Sequence, residues 1–303
     1  MKPNNKIGLT TFILLFSFIS SSICQTPVWN GKGRIVISSD GNEHDHDDWA
    51  ATPLSLAVLS AAGLQDKLAL YTYSDHIWGS NQEHPTSDSG INSYEHMRES
   101  ALGAKSWFGF GNTRFVCAVD NAEVAYIAIR DEINKSSADD PLFIIAAGPM
   151  QVVGEGINRA DASKRQFVTL ISHSNWNNVH SDRPSRDYWD VHTGWTFNEI
   201  STNFSAEEGG SLKCVLISDQ NGGVDYEGLM APIAKFDWLK DPIEIKKGAF
   251  KDGSLGWLYS RLNTCIKNGN IDASDAGMIV WFLTGNEKTD PKMAHEIMIS
   301  SKK

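Results

Sequence analysis

From residue 40 to residue 48 the chain reads Asp-Gly-Asn-Glu-His-Asp-His-Asp-Asp, with four aspartates, one glutamate and two histidines in nine positions. Carboxylates crowded in this way repel one another unless a cation or a bound proton offsets the charge. A hard divalent ion such as Ca²⁺ answers that need, because it takes several oxygen ligands. The EF-hand pattern does not fit, since its glycine and distal glutamate would be misplaced. His44 and His46 keep Zn²⁺ open, although they alternate instead of standing one helical turn apart. The plainer alternative is a solvated acidic loop in which Asp47 or Asp48 caps a helix. A cap needs one aspartate, whereas this segment has four.

Two other segments hold residues suited to chemistry. Asp75 and His76 follow an apolar run, and His76 suits a general acid, although a lone loop histidine is often only exposed. Ser172-His173-Ser174-Asn175-Trp176-Asn177-Asn178 opens a polar stretch in which Asn175 and Asn177 suit sugar hydroxyls or simple turns. Trp176, Trp189 and Trp195, interleaved with polar residues, suit stacking on a saccharide or ordinary packing.

The elements that must position these residues alternate. Short apolar runs at 34–38, 68–73, 113–119, 142–147, 167–172 and 213–218 read as buried strands. Helical spacing predicts helices at 48–62, 93–108, 122–133, 150–160, 259–265 and 276–283, with Gly63 closing the first. Residues 175–210 read as a long irregular insertion and 219–223 as a turn. The rhythm predicts a single α/β domain, a mostly parallel sheet flanked by helices and Rossmann-like in kind. Ligands then belong at the carboxyl ends of the strands, where the loop after residue 38 carries the acidic cluster.

Composition narrows the function classes. A hydrophobic share of 41% excludes global disorder. With 37 acidic residues against 27 basic and a net charge of −10, the chain is poorly suited to gripping nucleic acid through its phosphates. Lys2 and Lys6, the apolar stretch 7–19 and the serines at 20–22 have the layout of a secretory signal peptide over residues 1–24, followed by one domain from 25 to 303. The apolar stretch is short for a membrane span, so no stable membrane insertion is expected. Ser22-Ile23-Cys24 also reads as a poor lipobox. Cys117, Cys214 and Cys265 have no metal-knuckle spacing, and their pairing is not readable from sequence.

A strand ending in Asp40, a turn containing Gly41, and the pair Asp47-Asp48 opening a helix with Ala50 and Ala51 resemble the DxDxxxDD region of the nucleoside hydrolase superfamily. The loop is a few residues longer than the family spacing. The run 143–150, Phe-Ile-Ile-Ala-Ala-Gly-Pro-Met, resembles that family's strand followed by Gly-Pro-Leu. Ser274-Asp275-Ala276, heading a late apolar helix, resembles its late His-Asp-Pro, with serine in place of the histidine. The resemblance implies the family's α/β fold and a Ca²⁺ held by Asp40, Asp48, the Ala147 carbonyl and Asp275. It further implies Asp40 as general base on a metal-bound water and Asp47 as a sugar-hydroxyl ligand, with Asp75 where the family binds ribose. The longer loop makes Glu43 and Asp45 competing ligands.

The expected function is therefore a secreted or periplasmic, calcium-dependent hydrolase of an N- or O-glycosidic bond, acting on a small glycoside or saccharide. The alternatives are a carbohydrate-binding protein on the same fold and a calcium-stabilised structural module. Family members often self-associate, so a homo-oligomer is in keeping with the resemblance.

Overall fold

The computed structural model describes residues 28–41, 47–73, 93–148, 150–179, 194–240, 250–267 and 269–300. The expected signal peptide, Glu43, His44, Asp45, His46, Asp75, His76 and Trp189 lie outside the described residues.

Six parallel strands form the central sheet: β1 (Arg34–Ser39), β2 (Leu68–Tyr73), β3 (Arg114–Cys117), β4 (Leu142–Ala147), β5 (Val168–His173) and β6 (Lys213–Ile217), in the order β3-β2-β1-β4-β5-β6. All five neighbouring pairs are parallel. Parallel neighbours need crossovers, and helices supply them: α1 (Asp47–Ala61), α2 (Ser93–Trp107), α3 (Ala122–Lys135) and α4 (Gln151–Arg159). The strand order reverses between β1 and β4, which opens a crevice at their carboxyl ends, the place where such sheets bind ligands.

The apolar runs are continuous because both sheet faces are covered. Ile35 and Ile37 of β1 enter one core with α1, α2, α7 (Ser254–Leu262), α8 (Ala276–Thr284) and α9 (Pro291–Ser300). Val36 points the other way, into a second core with α3, α4 and α6 (Phe197–Phe204). Period-two alternation along one strand thus feeds two hydrophobic layers.

α1 is buried on every side after Asp47, and so reads as apolar all round. Pro53 interrupts it without an N–H, which removes the helical partner of the Trp49 carbonyl. The Ser100 hydroxyl of α2 donates to that carbonyl at 2.6 Å, and the buried Arg261 guanidinium donates in turn to Ser100 at 3.0 Å.

The structure also corrects details of the expected elements. The helix expected at 259–265 begins five residues earlier as α7, and residues 263–265 turn in a tighter 3₁₀ form. The insertion at 175–210 contains α5 (Asn175–Val179) and α6, the latter opened by a capping box in which Thr196 and Glu199 satisfy each other's backbone N–H groups. A small antiparallel sheet, β7 (Met230–Pro232), β9 (Asn270–Asp272) and β8 (Ile266–Lys267), was not expected, because strands of two or three residues carry no periodicity. Cys117, Cys214 and Cys265 form no disulfide with one another. Burial pushes their thiols up, to about 11, 11 and 12 respectively, so they stay protonated at neutral pH.

Candidate metal centre

Asp40 is the first residue after β1, at the crevice where the strand order reverses. Asp47 and Asp48 form the first turn of α1, and Asp275 stands at the N-cap position of α8. Oxygen atoms from these four aspartates lie within 4.8 Å of one another, and Asp40, Asp48 and Asp275 are buried. Chain segments more than 200 residues apart therefore converge on one point, and every donor in the set is a carboxylate oxygen.

Local hydrogen bonds fix the geometry. The Asp40 backbone N–H donates to Asp48 Oδ2 at 3.0 Å, tying the end of β1 to the start of α1. The Asp48 N–H donates to Asp47 Oδ1 at 2.8 Å. Asp275 occupies a cap position, yet its carboxylate caps no helix N–H. It is turned to His173 instead, with Oδ1 at 2.5 Å from Nε2.

Gly148 makes room for Asp40. Its φ of +88° is left-handed, and a Cβ built there would fall 2.3 Å from Asp40 Oδ1. Gly148, next to Ala147, is thus required by the carboxylate. Ala147 itself is buried at the end of β4, in register with Ser39, the residue before Asp40. Beneath this edge, the Ser39 hydroxyl donates to Tyr71 at 3.0 Å and Tyr71 donates to Thr52 at 2.8 Å, which anchors the end of β1 to β2 and α1.

The cluster's charge and donor set are compatible with an ion. The N-termini of α1 and α8 each offer roughly half an elementary positive charge. Together that is about one charge against four carboxylates, a difference that a divalent cation or shared protons could offset. An all-oxygen donor set suits a hard cation. No imidazole or thiol joins the set among the described residues.

His173 is the last residue of β5, and nothing in its sequence context assigns it a role. Burial pulls its imidazole down, whereas the Asp275 carboxylate, aided by Asp219, pulls it up. The hydrogen bonds decide which nitrogen carries the proton. The Gln220 backbone N–H donates to Nδ1 at 3.1 Å, closer than the Asp219 carboxylate at 3.8 Å. That N–H requires a lone pair on Nδ1, so the ring is neutral with its proton on Nε2. A cation on Asp275 would further weaken the pull toward protonation.

The residues considered for sugar contacts diverge. Asn175 is exposed on α5 and Trp176 is half-buried. Asn177 is buried, and its amide donates to the His173 carbonyl at 2.9 Å, a structural use that satisfies the strand end. Ser174 adopts φ +69°, and its hydroxyl accepts from the Trp176 N–H at 3.2 Å. Such strain at a strand's carboxyl end is common where a chain is shaped for function. Trp195 is not an open stacking surface. Its indole N–H donates to Glu155 at 3.2 Å, its ring packs on Phe204, and it lies so close to Gly154 that a Cβ there would collide with it.

Among the described residues no helix is long and apolar enough to cross a membrane. No protein-family model matches the chain. Uncharacterized protein P22 of Formosa agariphila is 30% identical to it over 261 residues, which cover 84% of each chain. Identity at that level over that span makes the chain a member of the same family as P22 of Formosa agariphila.

Proposed function

We propose that the protein is an exported, Ca²⁺-dependent hydrolase of an N- or O-glycosidic bond, of the nucleoside hydrolase kind. The observation that carries this reading is the convergence of Asp40, Asp47, Asp48 and Asp275 within 4.8 Å at the sheet's switch point. Oxygens on one Ca²⁺ lie about 2.3–2.6 Å from it, so two of its ligands stand at most about 5 Å apart. The cluster is consistent with that span. Asp48 and Asp275 would hold the ion, with Asp40 and the Ala147 carbonyl.

When bound, the ion would lower the pKa of a coordinated water. Asp40 would accept the proton as water attacks the anomeric carbon, and its seat against Gly148 limits its rotation. Asp47, the least buried of the four, would accept hydrogen bonds from sugar hydroxyls. Neighbouring carboxylates would also stabilise the positive charge that develops on the sugar in an oxocarbenium-like transition state. The leader at residues 1–24 supports export of the chain. The rival reading, a carbohydrate binder without catalysis, is weakened because Trp195 is committed to α4 and α6.

The test is elemental analysis of the mature protein, with nucleosides and aryl glycosides then offered as substrates with and without chelator. One Ca²⁺ per chain and chelator-sensitive cleavage support the reading. Cleavage that survives full chelation, or persists in Asp40→Asn, removes it. Retention on a glycan gel without cleavage would favour the binding protein.

A further inference from the structure

We infer that His173 is a positioning residue that holds the Asp275 carboxylate in the metal cluster, an inference that rests on the metal reading above. His173 is only 3% exposed, and its ring engages partners through both nitrogens. A backbone N–H can only donate, so the contact from Gln220 to Nδ1 at 3.1 Å leaves the ring proton on Nε2, facing Asp275 Oδ1 at 2.5 Å. His173 is therefore the donor and Asp275 the acceptor.

The donor is itself held from several sides. Gln220 is fully buried, with its amide nitrogen donating to the carbonyls of Ser218 at 2.6 Å and Glu287 at 3.0 Å, while its oxygen accepts from Thr289 at 2.6 Å. Asn177 grips the His173 carbonyl at 2.9 Å. The ring is thus aimed by β5, by the loop after β6, by the segment before α9 and by α5, all before it touches Asp275.

The need for aiming is local. An aspartate at a helix N-cap has a competing partner in its own first-turn N–H groups. Asp275 makes no such bond. The His173 N–H takes one carboxylate oxygen, which draws the side chain away from the cap and fixes its rotation, leaving the other oxygen for an ion. Outer partners of this kind commonly change metal affinity by about 10–100-fold.

A structural pin between β5 and α8 would use the same bond, so the test must read the metal directly. Calorimetric titration of the mature full-length chain with CaCl₂ alone compares wild type, His173→Phe and His173→Gln. Phenylalanine keeps the ring's bulk without a donor, whereas glutamine can accept from Gln220 and donate to Asp275. Calcium binding should weaken by about 10–100-fold in His173→Phe and return to within roughly threefold of wild type in His173→Gln. Nitrogen NMR of histidine-labelled wild type, which needs no variant to fold, should show the Nε2–H tautomer and a shift of that signal on adding CaCl₂. Wild-type affinity in His173→Phe, or an Nδ1–H tautomer, overturns the positioning role and leaves the metal site standing. No calcium uptake by wild type itself would bring down the metal reading and this inference with it.

Discussion

The two ends of β1 handle charge in opposite ways. At its amino end, Arg34 donates to Glu132 and, at 2.6 Å, to Asp140, while Lys135 adds a second contact to Glu132 at 2.6 Å. Opposite charges meet there, and the chain supplies both signs. Six residues later, at the carboxyl end, Asp40 joins three other aspartates within 4.8 Å. The first arrangement welds β1 to α3 and to the entry of β4. The second concentrates like charge in buried surroundings, which costs stability unless something positive is brought in. Folding alone explains the amino end, whereas the carboxyl end has a donor set that could hold a cation.

This contrast can be broken most sharply at Asp40. Asp40→Asn is nearly isosteric and should retain the fold by circular dichroism while turnover of any accepted glycoside falls by about 10²–10⁴-fold, the usual contribution of a general base. Gly148→Ala comes next. The added methyl meets Asp40 Oδ1 and the backbone is left-handed, so a loss of about 1–3 kcal/mol in chemical denaturation should accompany weaker calcium uptake. Chelation should lower the melting temperature of the wild type. At calcium about a hundredfold above its Kd the stabilisation is about 2.7 kcal/mol, and scanning calorimetry with and without chelator checks it.

The smallest effect should come from the other end of the strand. Arg34→Met leaves the nearly half-exposed Asp140 without its cation while Glu132 keeps Lys135, for a cost of about 1 kcal/mol or less in urea unfolding, near the surface limit. Its calcium affinity should match wild type. A shift in affinity in that variant would mean that the two ends are coupled through β1.

Much of this was legible before folding was considered. The strands were visible because a sheet covered on both faces needs continuous apolar runs, and the residues 34–38, 68–73 and 142–147 supply them. The acidic segment was visible because its density exceeds what a helix cap requires. Some signals were present but unread. Thr196 and Glu199 are spaced as a capping box, and Asp290-Pro291 stands where helices begin, so α6 and α9 were open to prediction. Others were not readable from local spacing. Beyond the resemblance carried by Ser274-Asp275-Ala276, nothing adjacent to Asp275 distinguishes it from an ordinary N-cap, and nothing near His173 says that it meets a carboxylate 102 residues away.

The division follows from the range of the forces. Periodicity, capping and charge density act over a few residues, so the chain alone determined the α/β alternation, the first strand's acidic exit and the helix headed by Asp275. Strand order, the two-layered core and the meeting of Asp40, Asp47, Asp48, Asp275 and His173 depend on which apolar faces bury one another. Only the packed sheet decided those, because burial is non-directional until partners are chosen, and that choice brings distant side chains within hydrogen-bonding reach.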